Sequence, residues 1–246
     1  MIILWIIGFC LIGSVGAIIT ASIFLLIQER KQKIIIPCLL SYASGTLITT
    51  ALLGLIPHAF EYSNPTTILF TILLGIIFFF LLEKLIIWRH CHETECEMHG
   101  TVGTMIIIGD AFHNAIDGAT IAVGFLISIP VGIITTISVI AHEIPQEAGD
   151  FAILIHDKYS KRKALILNTV SSLTTVPTAI LTYYTLDIVN VAIPYIMGIS
   201  AASFLYIALT DLYPELHKSS GFWVEFGQFF MMTLGIGTIL LILQFH

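Results

Sequence analysis

Short polar breaks divide this chain into eight predominantly apolar stretches, over residues 2–27, 34–58, 66–88, 101–126, 130–156, 162–186, 189–212 and 223–245. About 20 apolar residues in helical geometry reach across the hydrocarbon of a bilayer. Each stretch therefore predicts a membrane-crossing helix, and the whole an all-α polytopic protein with a single transmembrane domain over residues 1–246. The narrowest break, residues 127–129 ahead of Pro130, separates the fourth stretch from the fifth. The first stretch is apolar from its start and lacks the basic flank and cleavage site of a removable leader, so it reads as a retained span.

Basic residues orient the predicted spans. Arg30, Lys31 and Lys33 follow the first, Lys84 and Arg89 end the third, Lys158, Lys161, Arg162 and Lys163 follow the fifth, and Lys218 follows the seventh. All ten thus fall at odd-numbered turns, and the turns at 61–65, 128–130 and 187–190 hold none. Since cytosolic loops collect lysine and arginine, both termini are expected outside, in a cell (plasma or inner) membrane.

Composition agrees. The 246 residues are 57% hydrophobic and only 11% charged, against about a quarter charged in a soluble domain. The formal charge of −6 does not describe an acidic surface, because several acids lie inside apolar stretches. No basic patch remains for nucleic acid, and four scattered cysteines, Cys10, Cys38, Cys91 and Cys96, do not form a secreted-type disulfide framework.

The candidate chemistry lies in the fourth and fifth stretches. His113, Asn114 and Asp117 occupy the fourth; His142, Glu143, Gln146, Glu147 and Asp150 occupy the fifth. Residues four apart share a helix face, which pairs His113 with Asp117, His142 with Gln146, and Glu143 with Glu147. A carboxylate at mid-bilayer costs roughly 2.5–3.5 kcal/mol on insertion scales, so this set calls for a compensating cation. Mixed nitrogen and oxygen donors suit Zn(II), Fe(II), Mn(II) or Cd(II), and no pair of buried thiolates favours Cu(I). There are more donors than one tetrahedral ion uses, which predicts two adjacent ions or a short relay. Pro145 and glycines 118, 124 and 149 give the pair of helices places to adjust. Asp110 and Asp150 are read as gateway carboxylates nearer the membrane faces, and His58 as a residue at the outer mouth.

Other readings compete. A single histidine or asparagine in a membrane helix is usually a packing contact, but seven polar groups in two adjacent spans, besides Asp110 and Asp150, exceed what packing needs. A zinc protease requires His-Glu-x-x-His on one helix; here Gln146 replaces the second histidine and Pro145 interrupts the turn. A metal-sensing membrane protein without flux is a third class. Residues 89–100, carrying His90, Cys91, His92, Cys96 and His99, form a short cytosolic His/Cys/Glu loop, read either as a weak metal-binding tract or as a solvated hairpin. An echo between Leu55-Ile56-Pro57-His58 and Leu212-Tyr213-Pro214-Glu215 points to inverted repeats, with spans one to three matching six to eight around a central pair.

The motifs His113-Asn114-Ala115-Ile116-Asp117-Gly118 and HEIPQEAGDF from His142, with Phe204-Leu205-Tyr206-Ile207-Ala208 leading to Asp211-Leu212-Tyr213-Pro214-Glu215-Leu216, resemble the ZIP (Zrt/Irt-like) family of divalent metal transporters, its LIV-1 branch in particular. Gly45-Thr46-Leu47, Pro57-His58 and Asn168 with Ser171-Ser172 support the likeness, which covers almost the whole length. The resemblance implies a 3+2+3 inverted-repeat bundle, a homodimer, and movement of zinc or related ions toward the cytosol. It implies one metal position at His113, Asp117, His142 and Gln146 and a second at Asn114, Asp117, Glu143 and Gln146, with Glu147 completing the motif. The branch usually has histidine where this chain has Gln146, and an acid and a histidine where it has Thr50 and Gly54. Weaker or broader metal selectivity is the expectation.

Overall fold

The computed structural model describes residues 2–24, 29–91, 101–156, 158–186, 190–217 and 221–244. The described residues are almost wholly helical: α1 (Ile2–Phe24), α2 (Glu29–Thr49), α3 (Ile56–Tyr62), α4 (Pro65–Cys91), α5 (Thr101–Ile127), α6 (Ile129–His156), α7 (Lys161–Ser172), α8 (Thr175–Leu186), α9 (Ile193–Tyr206), α10 (Tyr213–Leu216) and α11 (Phe222–Leu243). Most boundaries fall within a few residues of the apolar stretches. The loop expected at 89–100 lies largely outside the described residues.

Prolines explain the irregular joints. A proline lacks an N–H and frees the carbonyl four residues upstream. Pro57 and Pro214 each follow a widened π-helical segment, Thr50–Leu55 and Ile207–Leu212, that joins α2 to α3 and α9 to α10. Pro177 follows a turn at residues 173–174 that separates α7 from α8. By contrast, α6 runs through Pro145 without interruption.

Six helices among the described residues are long and apolar enough to cross a membrane: Ile2–Ile23, Ile35–Tyr62, Pro65–Leu82, Lys161–Thr185, Ile193–Thr210 and Phe222–Leu243. The protein is thus an all-α polytopic membrane protein. α5 and α6 are not among the six, because the acids, histidines and amides of the two motifs lower their hydropathy. These two helices form the centre of the bundle. α6 packs on α1 and α2, and α5 on α8 and α9; α4 and α11 lie outermost, against α9 and α2 respectively. Outward rings such as Phe70, Phe78, Phe229 and Phe230 are exposed; lipid, as apolar as they are, is the solvent that suits them.

Small residues bring the helices close. A Cβ on Gly45 would strike the Met232 carbonyl of α11, and one on Gly235 the Tyr42 carbonyl of α2. Helix association in lipid depends on this close backbone approach rather than on the hydrophobic effect.

Candidate metal centre

The central pair is a tight hairpin. Ser128 is the only non-helical residue between α5 and α6, and its hydroxyl accepts from Val131 N–H at 3.3 Å, starting the second helix. His113 and His142 lie at nearly equal distances along the chain from Ser128, and Asp110 and Gln146 at equal ones. Two antiparallel helices from such a turn bring these pairs level.

Four side chains converge there. His113 Nε2 lies 3.0 Å from His142 Nε2, and Asp117 Oδ2 lies 3.1 Å from His142 Nε2 and 3.5 Å from His113 Nε2. Glu143 Oε1 is 3.6 Å from His113 Nε2 and 3.7 Å from His142 Nε2. Bonds of about 2.0–2.1 Å to a tetrahedral ion imply donor-to-donor edges of roughly 3.3–3.4 Å. The five separations bracket that edge, and all four donor atoms lie within 4.8 Å of one another, a spacing that one cation can bridge.

One tautomer of His142 is fixed by the backbone. His142 Nδ1–H donates to the Ser138 carbonyl at 2.9 Å, since a carbonyl can only accept, and in the neutral ring this leaves a bare Nε2 facing the cluster. A bare nitrogen and a carboxylate oxygen 3.1 Å apart repel unless a proton or a cation stands between them. Ser138 is itself held by Thr50, whose hydroxyl is 2.6 Å from that of Ser138. Phe204 of α9, fully buried, closes the other side, its ring 5.9 Å from that of His142.

A second group adjoins the first. Oxygens of Asp110, Glu143 and Glu147, all buried, lie within 4.8 Å of one another. Asp110 Oδ2, Asp117 Oδ1 and both oxygens of Glu143 and of Glu147 have no hydrogen-bond partner, and no described lysine or arginine pairs with them. Burying carboxylates in this way is strongly unfavourable without a compensating charge. The structure therefore holds a buried His/Asp/Glu cluster able to bind a metal ion.

The remaining candidates are placed as follows. Asn114 Nδ2 donates to Asp110 Oδ1 at 2.9 Å, and its Oδ1 accepts from Thr175 Oγ1 at 3.1 Å. Gln146 Nε2 also donates to Asp110 Oδ1, at 3.2 Å. Both amides thus surround Asp110, with Glu143 standing at the histidine pair where the motif likeness put Gln146. Asp150 is half-buried further along α6. His58 sits on α3, away from the cluster, with Nδ1 donating to the Gly54 carbonyl at 2.6 Å. Sequence reasoning did not find the supporting groups Ser138 and Thr175, and it named Phe204 only as part of a motif. Thr174 lies in the break before Pro177 and Thr175 opens α8; Thr174 Oγ1 donates to the Ala111 carbonyl of α5 at 2.8 Å, and the proline was the available signal.

Comparison with known proteins agrees with this geometry. A family model described as ZIP Zinc transporter matches residues 87–243, well over half of the chain. The chain belongs to the ZIP zinc transporter family. Its similar relatives include zinc transporter zipt-7.2 of Caenorhabditis elegans, 34% identical over 140 residues that cover 55% of this chain and 30% of that protein. Human zinc transporter ZIP4 is 35% identical over 144 residues, covering 58% of this chain and 22% of its own. Zinc transporter ZIP13 of Pongo abelii is 28% identical over 222 residues, covering 82% of this chain and 65% of its own. This ZIP chain therefore spans less than a third of the worm and human proteins, and its relatives ZIP4 and ZIP13 are of the LIV-1-like branch that its motifs resemble. The family is one of transporters, not enzymes.

Proposed function

We propose that this ZIP chain carries divalent metal ions, foremost Zn(II), across its membrane toward the cytosol, with His113, Asp117, His142 and Glu143 as the mid-membrane station. The convergence of these four donors within 4.8 Å of one another, five of their six separations bracketing a tetrahedral edge, is the observation that carries the reading. The next station is the oxygen group of Asp110, Glu143 and Glu147, with Asn114 and Gln146 supplying amides around it. Glu143 belongs to both groups and passes the ion between them. Fe(II), Mn(II) and Cd(II) are further substrates, since the donor set is mixed nitrogen and oxygen. Ions reach the station from the outer side past His58 and leave past Asp150.

The fold belonging to this reading has eight spans in a single domain over residues 1–246, both termini outside, and an inverted 3+2+3 arrangement. Its support is internal. The two π-helical segments stand at the same offset before Pro57 and Pro214. Exchanging the first three spans with the last three, and α5 with α6, maps the α2–α11 contact onto α9–α4, and α1–α6 onto α8–α5. The same exchange relates the Thr50–Ser138 hydroxyl pair to that of Ser200 and Thr120, each at 2.6 Å. Rocking one repeat against the other alternates access in such bundles. The motif likeness adds a homodimer, the basic residues at odd-numbered turns make the loop at 89–100 cytosolic, and the membrane in this reading is a cell membrane.

The decisive measurement is uptake of radiolabelled zinc into proteoliposomes, repeated with competing metals. His113→Ala is expected to stop flux; retained flux in a folded variant would refute the assigned route. Gln146→His, which replaces a neutral amide by imidazole, is expected to tighten zinc binding by about tenfold, or roughly 1.4 kcal/mol. Equal affinity in titrations of the two proteins would remove Gln146 from the account of selectivity.

A further inference from the structure

The acids of α6 form a stripe at one-turn spacing, Glu143, Glu147 and Asp150, leading from the histidine pair toward the basic turn before α7. Beside Glu147, the helices α1, α6 and α7 line a partly open cavity of about 10 Å³, with Ser22, Glu147 and Asn168 among apolar side chains. That volume admits one water-sized guest. Asn168 is buried, 2% exposed, and its Nδ2 donates to the backbone carbonyl of Glu147 at 3.2 Å. Its Oδ1 has no partner, and neither has either carboxylate oxygen of Glu147, itself 1% exposed.

An amide oxygen kept dry and unbonded is unfavourable by about 1–3 kcal/mol, and packing does not require it, since leucine would fill similar space. Asn168 and Glu147, each with unbonded oxygen, line a cavity for a single guest and together make a cradle for a cation. We infer that Asn168 and Glu147 form a further divalent-cation station, built from oxygen donors alone, which receives the ion after the carboxylate group and hands it toward the basic turn. The bond from Asn168 Nδ2 fixes the amide so that Oδ1 is the atom left for the ion. Ser22 lines the same cavity. Oxygen donors bind zinc more loosely than the imidazole pair, so affinity falls along the stripe in the direction of release. The inference rests on the transporter reading above.

The test uses the full chain in lipid nanodiscs and equilibrium dialysis with radiolabelled zinc, on the His113→Ala background, which removes the four-donor station. That protein is expected to keep a weaker zinc-binding component. Adding Asn168→Leu should weaken the component by about tenfold or more, and adding Asn168→Asp, which exchanges the amide for a carboxylate, should tighten it by a similar factor. If Asn168→Leu does not fold, the aspartate variant decides alone. Unchanged affinity in the folded double variants, or no remaining component in His113→Ala, overturns the station and leaves the four-donor reading standing. Zinc binding by wild type that His113→Ala does not diminish would instead overturn the four-donor reading, and absence of any binding by wild type overturns both.

Discussion

Glu143→Gln is expected to reduce zinc flux in proteoliposomes by about 100-fold or more, since even the loss of an outer partner costs 10–100-fold in metal affinity and Glu143 contributes to both donor groups. The same variant should separate stability from function. Without metal, wild type holds Glu143 1% exposed and with neither oxygen hydrogen-bonded, an arrangement that is unfavourable for a carboxylate and less so for a neutral amide of the same size. Metal-free Glu143→Gln is therefore expected to melt at or above the temperature of metal-free wild type. Zinc reverses the order. A ligand at 100 times its dissociation constant stabilises the protein that binds it by about 2.7 kcal/mol, so zinc should raise the midpoint of wild type and leave that of the variant nearly still. Thermal unfolding in nanodiscs with and without zinc reads both signs at once, and an equal zinc-induced rise in the two proteins would remove Glu143 from the site.

Gly118→Ala is expected to disrupt the bundle, although it adds one methyl group. An added Cβ would collide with the carbonyl oxygen, carbonyl carbon and Cα of Thr175, all backbone atoms of α8 that cannot turn aside. α5 and α8 would have to separate, and Thr175 would lose its 3.1 Å bond to Asn114 Oδ1, which stands beside the cluster. Overpacking of this kind costs about 1–3 kcal/mol or more. The expected result is a poorly expressed protein with a lowered unfolding midpoint and, in whatever folds, weaker zinc binding. Gly149→Ala on α6 is the matched control, because an added Cβ there meets nothing within 4 Å. In a helix interior it should gain roughly 0.5–1 kcal/mol from alanine's smaller entropy loss. A Gly118→Ala protein as stable as the Gly149→Ala control would show that the α5–α8 contact yields easily.

Much of the centre was legible because helical periodicity is rigid. His113 with Asp117, and Glu143 with Glu147, share faces by spacing alone, and the short break at Ser128 required α5 and α6 to pair. The place of Gln146 was not legible in the same way. Spacing set it on the face of His142, but Asp110 accepts its amide at 3.2 Å, while Glu143, one residue from His142 along the helix, reaches back to both imidazoles at 3.6 and 3.7 Å. Long flexible side chains cover more than a single ridge of a helix, so period alone does not choose between neighbours. Asp110 differs for a related reason: read as a gateway by its distance from the motif, it is buried and holds both amides.

What the amino-acid order determined by itself was the solvent, the helices and the set of candidate donors, because each depends on local quantities: apolar length, charge placement, and the expense of a carboxylate in oil. Tertiary structure alone decided which donor atoms meet, how Ser138 turns the His142 ring, that Phe204 closes one side, and that Asn168 joins Glu147 at a small cavity. These depend on the rotation and separation of helices distant in the chain, set by close contacts such as Gly118 on Thr175, and no local pattern records them.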